Sequence, residues 1–392
     1  MLRYNKTIIL RRWRRFISSA LVLIIISLLQ VPAFSVPQSP EVDAKSAILI
    51  EKTTGNILYE YNSHEQLKPA SVTKVMTILL IGDALNSGKI SIDDIVTTSE
   101  HAASLGGSQI YLEPGEKMSV RDLLKSIVVS SANDASVAMA EHIAGSETAF
   151  VSMMNKKAEE LGMKDTNFVN AHGLDTEGHV TSAHDIALMS RALLMEFPGV
   201  KEYTTIWMDS VRDGKFQLAN TNRLIRTYTG STGLKTGYTT GAGHCLAATA
   251  ERDNMELICV IMGSSNSKAR FAAGTSLLDY GFANYALVEV FPEQVLLPIP
   301  VKLGIHSEVQ PLIAGDNTLI VEKGTESSLT QKIEMEEFLE APVAMNQEIG
   351  HLTVYSVDNE IACIPIVTSD SIDRISFGGM YKKMFMNLSM SR

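Results

Sequence analysis

The stretch Ala47-Ile48-Leu49-Ile50-Glu51-Lys52-Thr53-Thr54-Gly55-Asn56-Ile57-Leu58-Tyr59 sets the fold. Two short apolar runs flank a turn-forming segment, which is the pattern of an antiparallel hairpin. From about Ala70 to Phe197 the apolar spacing turns helical. Start signals stand at Ser119-Val120-Arg121-Asp122 and Ser182-Ala183-His184-Asp185, where a serine caps and an aspartate takes the third helical position. Strand character returns over Gly243 to Ala250 and Leu257 to Met262. A chain that runs hairpin, helical block, strand group predicts an α+β fold, with helices packed on an antiparallel sheet.

Outward from this core the texture changes at both ends. Residues 1–35 hold Arg3, Lys6, Arg11, Arg12, Arg14 and Arg15, then an apolar run from Ala20 to Leu29, then Ala33-Phe34-Ser35, a small-x-small cleavage pattern. This reads as an export signal. The competing reading, an uncleaved anchor, needs about 20 apolar residues, and Gln30 and Pro32 cut the run short. Both readings export the chain, and no Cys follows the cleavage pattern to suggest a lipoprotein.

After a Pro/Ser linker, Val36 to Pro40, a first domain is expected over 41–284. Beyond Asn284 come short β-rich pieces: Val295 to Leu303, Thr318 to Glu322, and a hairpin of Leu352 to Val357 and Ile361 to Val367 around Asp358-Asn359. They predict a smaller all-β domain over 285–370. In the segment 371–392, Phe377, Met380, Tyr381, Met384, Phe385 and Leu388 recur at helical spacing opposite Lys382, Lys383 and Asn387. That is the pattern of an amphipathic helix lying in a membrane interface; docking on the β domain is the other reading.

The chain has 392 residues, 45% hydrophobic and 20% charged, the balance of a globular protein of about two domains. Its formal charge is −10, but beyond residue 35 there are 28 basic and 44 acidic residues, a net −16. So acidic a chain is not a nucleic-acid binder, and the charge reads as a solubility feature. Cys245, Cys259 and Cys363 are widely spaced, form no CxxC, and read as buried small hydrophobes. No HExxH occurs among the scattered histidines, and no metal is expected.

Three separated motifs carry chemistry. Ser71-Val72-Thr73-Lys74 follows Pro69-Ala70 and precedes the apolar run Val75 to Leu80. Pro presets a helix start, and a three-residue step puts Ser71 and Lys74 on one face. Serine is a weak nucleophile until a base takes its proton, and a lysine kept neutral by burial or another cation can serve. Ser265-Asn266-Ser267-Lys268 repeats the spacing, but with no Pro before it and no apolar helix after it. The second motif, Ser131-Ala132-Asn133, closes the helix launched at Ser119 and offers a hydroxyl and an amide for relaying a proton and holding a carbonyl. The third, Lys235-Thr236-Gly237-Tyr238, lies on a strand: Lys235 supplies fixed positive charge, Thr236 a hydroxyl, and Gly237 lets a bound chain lie against the backbone.

Together, in this order, the three motifs form a signature set of penicillin-recognising serine enzymes. The chain resembles the low-molecular-mass penicillin-binding proteins that are serine-type D-alanyl-D-alanine carboxypeptidases. The resemblance runs from about Ala47 to Asn284, through the motif segments and through His172-Gly173-Leu174-Asp175 and Asn220-Thr221-Asn222-Arg223, and weakly through the β-rich tail. It implies that Ser71 is the acylated nucleophile, Lys74 its base, and Ser131 and Asn133 the shuttle and orienting pair. Lys235 and Thr236, helped by Arg270, would bind a terminal carboxylate, and the backbone N–H groups of Ser71 and Tyr238 would form the oxyanion hole. For Arg270 the alternative is a surface ion pair. The resemblance further implies a cofactor-free bacterial enzyme acting at the outer face of the cytoplasmic membrane or in the cell wall space. It would remove the terminal D-alanine from peptidoglycan stem peptides, with β-lactam antibiotics as covalent inhibitors. One departure is Ala132, where the family commonly has Gly; the added methyl is expected to narrow the cleft.

Two other functions compete. A class A-like β-lactamase needs a deacylating Glu, usually followed by a Leu-Asn pair, whereas Glu177 is followed by Gly178-His179-Val180. A non-catalytic cell-wall-binding protein would be expected to have lost a motif member, and none is lost. His172, Asp175, His179, His184 and Asp185 invite a catalytic reading, but Ser182 and Asp185 already have a capping role and the cluster reads as structural.

Overall fold

β1 (Ser46–Glu51) is buried along its whole length because the sheet it belongs to is covered on both faces. In the computed structural model, which describes residues 40–356 and 359–390, it pairs with β2 (Ile57–Tyr61) as the expected hairpin. The strand group supplies β3 (Ser231–Thr239), β4 (Gly243–Arg252) and β5 (Met255–Ser264), giving an antiparallel sheet of order β2-β1-β5-β4-β3. The expected export signal over residues 1–35 and the turn at 357–358 lie outside the described residues.

Alternate residues of the sheet serve two cores. Ile48, Ile50, Ile258 and Val260 face a layer made by α1 (Lys74–Asn86), α2 (Val120–Ser130), α3 (Asn133–Ala144), α4 (Glu147–Glu160) and α5 (Ala183–Glu196). Ala47, Leu49, Leu257 and Cys259 face Ala273, Leu277, Leu278 and Phe282 of α6 (Ser267–Asn284), which adds a further layer to the expected pair. The start signals hold: Ser119 Oγ accepts from Asp122 N–H and Ser182 Oγ from Asp185 N–H, both at 3.2 Å. Each such cap contributes about 1 kcal/mol.

Beyond α6 the described residues form short β-strands, broken by one 3₁₀ turn at Glu326–Ser328, up to the last helix. A four-stranded sheet, including the hairpin of Glu348–Ser356 with Asn359–Thr368, packs Leu352, Val354, Ile364 and Ile366 into a core of its own. Cys363 corrects one expectation: Cys245 and Cys259 are buried but Cys363 is exposed. Strand residues alternate between faces, and Ile364 takes the inward place beside it. The last helix, α7 (Phe377–Met390), leaves Phe377, Tyr381 and Phe385 exposed.

Candidate active site

Ser71 sits in a single tight turn, Ala70–Thr73, that leads directly into α1. The turn is strained and braced. Ala70 has φ 47°, in the left-handed region. Thr73 Oγ1 donates to Ala70 O at 2.8 Å and lies 2.8 Å from His179 Nε2. His179 Nδ1 accepts from Val169 N–H at 2.9 Å, so the proton is on Nε2 and points at Thr73. Burial pushes His179 down to about 4, which keeps the ring neutral in this role.

Lys74, fully buried one turn further on, reaches three oxygens with Nζ: Ser71 Oγ at 3.1 Å, Asn133 Oδ1 at 2.6 Å and the His172 carbonyl at 2.6 Å. Burial, and then the charge of Lys235, hold its pKa well below the ordinary lysine range, against an opposing pull from Asp134. The amine is thus disposed to be neutral beside a serine hydroxyl, as a base must be.

Ser131 caps α2 in the left-handed conformation, φ 64°, with its Oγ buried and without a hydrogen-bond partner among the described residues. Asn133 opens α3, where its N–H donates to Ser108 O and its Nδ2 to Gly106 O, both at 2.7 Å. The side-chain oxygen is thereby turned toward Lys74. Asp134 accepts from Ile110 N–H and Leu112 N–H and fixes the same loop. Ala132 overturns one expectation: it has φ −61° and is fully buried in the helical core, so its methyl does not narrow the cleft.

β3 brings Lys235, Thr236 and Gly237 against the Ser71 turn. A Cβ at Gly237 would lie 3.0 Å from Ser71 N and 2.9 Å from both Ala70 Cβ and Pro69 O, so only glycine permits this approach. Tyr238 follows with an exposed ring stacked on His244, 4.4 Å between centroids. Lys235 is buried, and burial with the Arg270 charge lowers it to about 7. Thr236 Oγ1 donates to Thr221 Oγ1 at 2.7 Å. Arg270, in the first turn of α6, donates through Nη1 to Gly237 O and Cys245 O at 3.0 Å each. It is buried under the strand, which rules out the surface ion pair; burial lowers it to about 10.

All the sequence-predicted residues therefore gather at one place, where the Ser71 turn, the α2–α3 junction and β3 meet. The His/Asp cluster stays structural in its side chains, with Asp185 accepting from Asp165 N–H and Thr166 Oγ1. Glu177 is exposed, and Ser265 Oγ donates to Asp43 Oδ2 at 2.6 Å, well occupied in a surface pair. Sequence reasoning missed the His172 and Gly106 carbonyls and the Thr221 hydroxyl. The segments 172–175 and 220–223 carried the resemblance without a role.

A serine hydroxyl beside a buried amine, with buried Lys235 on the neighbouring strand and buried Arg270 on the helix beneath it, has the make-up of a serine acyl-transfer site. A D-alanyl-D-alanine carboxypeptidase family model matches residues 33–266, and a model of the penicillin-binding protein 5 C-terminal domain matches 285–374. The D-alanyl-D-alanine carboxypeptidase DacF of Bacillus subtilis is 44% identical over 340 residues, 86% of this chain and 87% of that one. Penicillin binding protein 5 from Haemophilus influenzae superposes with a TM-score of 0.79 at 31% identity, over 86% of this chain and 99% of that one. Penicillin-binding protein D2 from Listeria monocytogenes, solved in its ampicillin-bound form, gives 0.57 at 31% identity over 62% and 99%. The chain belongs to the serine-type D-alanyl-D-alanine carboxypeptidase family of low-molecular-mass penicillin-binding proteins.

Proposed function

We propose that this chain removes the terminal D-alanine from peptidoglycan stem peptides through an acyl-enzyme on Ser71. The observation that carries the reading is the fully buried Lys74 amine 3.1 Å from Ser71 Oγ. Ser71 Oγ attacks the penultimate D-alanine carbonyl while its proton passes to Lys74. The backbone N–H groups of Ser71 and Tyr238 receive the oxyanion. Collapse expels the terminal D-alanine, whose amine takes up the proton by way of Ser131, with Asn133 orienting the substrate amide. Water then hydrolyses the ester. A β-lactam enters by the same attack, but its leaving group stays tethered and the acyl-enzyme persists; the ampicillin-bound relative supports this reading. The catalytic machinery is assigned to 41–284 and the β domain to 285–370.

Lys235, Thr236 and Arg270 take the terminal carboxylate. On this division Lys235→Ala and Arg270→Ala impair free-acid peptides more than amidated ones. A pH signature follows. With Lys235 near 7 in the free enzyme, binding a carboxylate above that pH requires proton uptake, so KM for a free-acid peptide rises with pH above about 7 and KM for an amidated peptide does not. Arg270→Ala removes a cation that depresses Lys235, so the break moves to higher pH. Steady-state kinetics on the peptide pair across pH check this; equal losses on both peptides would refute the division.

Export and attachment to the outer face of the membrane belong to the same proposal. No helix among the described residues is long and apolar enough to cross a membrane. The exposed Phe377, Tyr381 and Phe385 on α7 support contact with a lipid surface rather than docking on the β domain. Protein lacking residues 1–35 is expected to float with anionic vesicles, and protein further shortened by 375–392 is not, with soluble-peptide activity unchanged. Truncated protein that still floats, or activity lost on truncation, would contradict the anchor.

A further inference from the structure

Lys74 is held by two oxygens besides Ser71, the Asn133 side chain, which rests on the exposed loop 106–108, and the carbonyl of His172, which lies in the buried turn 170–173. Glu147, in the first turn of α4, stands between those segments. Its Oε1 accepts from Ala171 N–H at 3.0 Å and lies 3.5 Å from His172 Nε2, while its Oε2 lies 2.8 Å from His101 Nε2. His172 Nδ1 accepts from Leu174 N–H, so its proton is on Nε2 and faces Glu147. His101 belongs to the short helix Glu100–Ala103, from which the chain runs into the Gly106–Ser108 loop that orients Asn133.

One carboxylate therefore ties together the turn that presents the His172 carbonyl and the segment that leads to the Asn133 support. Its side chain is largely buried, at 15% exposure. We propose that Glu147 is a positioning residue for the catalytic base, clamping the two loops whose oxygens fix Lys74 Nζ against Ser71. This rests on the assignment of Lys74 as base. Among the described residues Glu147 contacts none of the carboxylate-binding groups, so its removal acts on the chemical step, through Lys74 and through the Asn133 that orients the reacting amide, and leaves carboxylate capture in place.

The test is kcat and KM on a soluble D-Ala-D-Ala peptide for Glu147→Ala, Glu147→Gln and His101→Ala in full-length protein, with labelled penicillin mapped on each. Glu147→Ala is expected to lower kcat about 10-fold or more with KM within about twofold, on the scale that small misplacements of reacting groups produce. Glu147→Gln keeps an oxygen for Ala171 N–H and is expected within about threefold of wild type. His101→Ala, an exposed change that tests the clamp even where Glu147→Ala fails to fold, is expected between the two. Wild-type kcat in folded Glu147→Ala or in His101→Ala, an equal loss in Glu147→Gln and Glu147→Ala, or a change confined to KM would overturn the proposal. Failure of penicillin to label Ser71 in the wild type would instead remove the base assignment beneath it.

Discussion

Lys74→Ala is expected to slow acylation about 10²- to 10⁴-fold, toward penicillins and peptides alike, the range for loss of a general base. The effect is large because the hydroxyl and amine are already within hydrogen-bonding distance, and the amine is kept below its ordinary pKa by burial first and the Lys235 cation second. Those causes fix a sign as well. Lys74 acts only when neutral, so acylation falls as pH drops through its pKa. Lys235→Ala removes a depressing cation, raises the Lys74 pKa and moves that acid limb to higher pH. Stopped-flow acylation by a fluorescent penicillin across pH measures both. A Lys74→Ala enzyme impaired only toward free-acid substrates would place Lys74 in binding instead.

Gly237→Ala is expected to slow acylation by about 10²-fold or more while the protein stays folded. The new methyl would stand 2.9 Å from Ala70 Cβ and Pro69 O and 3.0 Å from Ser71 N, and none of these is the end of a flexible side chain. β3 must then retreat from the nucleophile, taking the Tyr238 N–H with it. A displacement near 1 Å at a reacting centre is enough for a loss of about 10²-fold. Circular dichroism would confirm the fold and stopped-flow acylation would read the loss; wild-type rates would show that strand and turn need no such approach.

The parts of this enzyme that depend on residue type were legible in the sequence. Ser119 and Ser182 announced their helices, the turn after Glu51 announced its hairpin, and the three motifs named their side chains. Backbone groups leave no such mark. The His172 and Gly106 carbonyls act through main-chain oxygens that every residue possesses, and only the fold brings them to Lys74 and Asn133. The same holds for α6: Ala273, Leu277, Leu278 and Phe282 have helical spacing, yet which face of the sheet they cover is a tertiary matter. Ala132 misled because its family position suggested bulk in the cleft, whereas the junction between α2 and α3 turns its methyl into the core.

Ser71 is expected to be the one serine acylated, which intact-mass analysis with peptide mapping after incubation with a labelled penicillin measures. One adduct is expected on the wild-type protein, mapped to the peptide holding Ser71, and none on Ser71→Ala. A stable adduct on Ser71→Ala, or one mapped to Ser265, would contradict it.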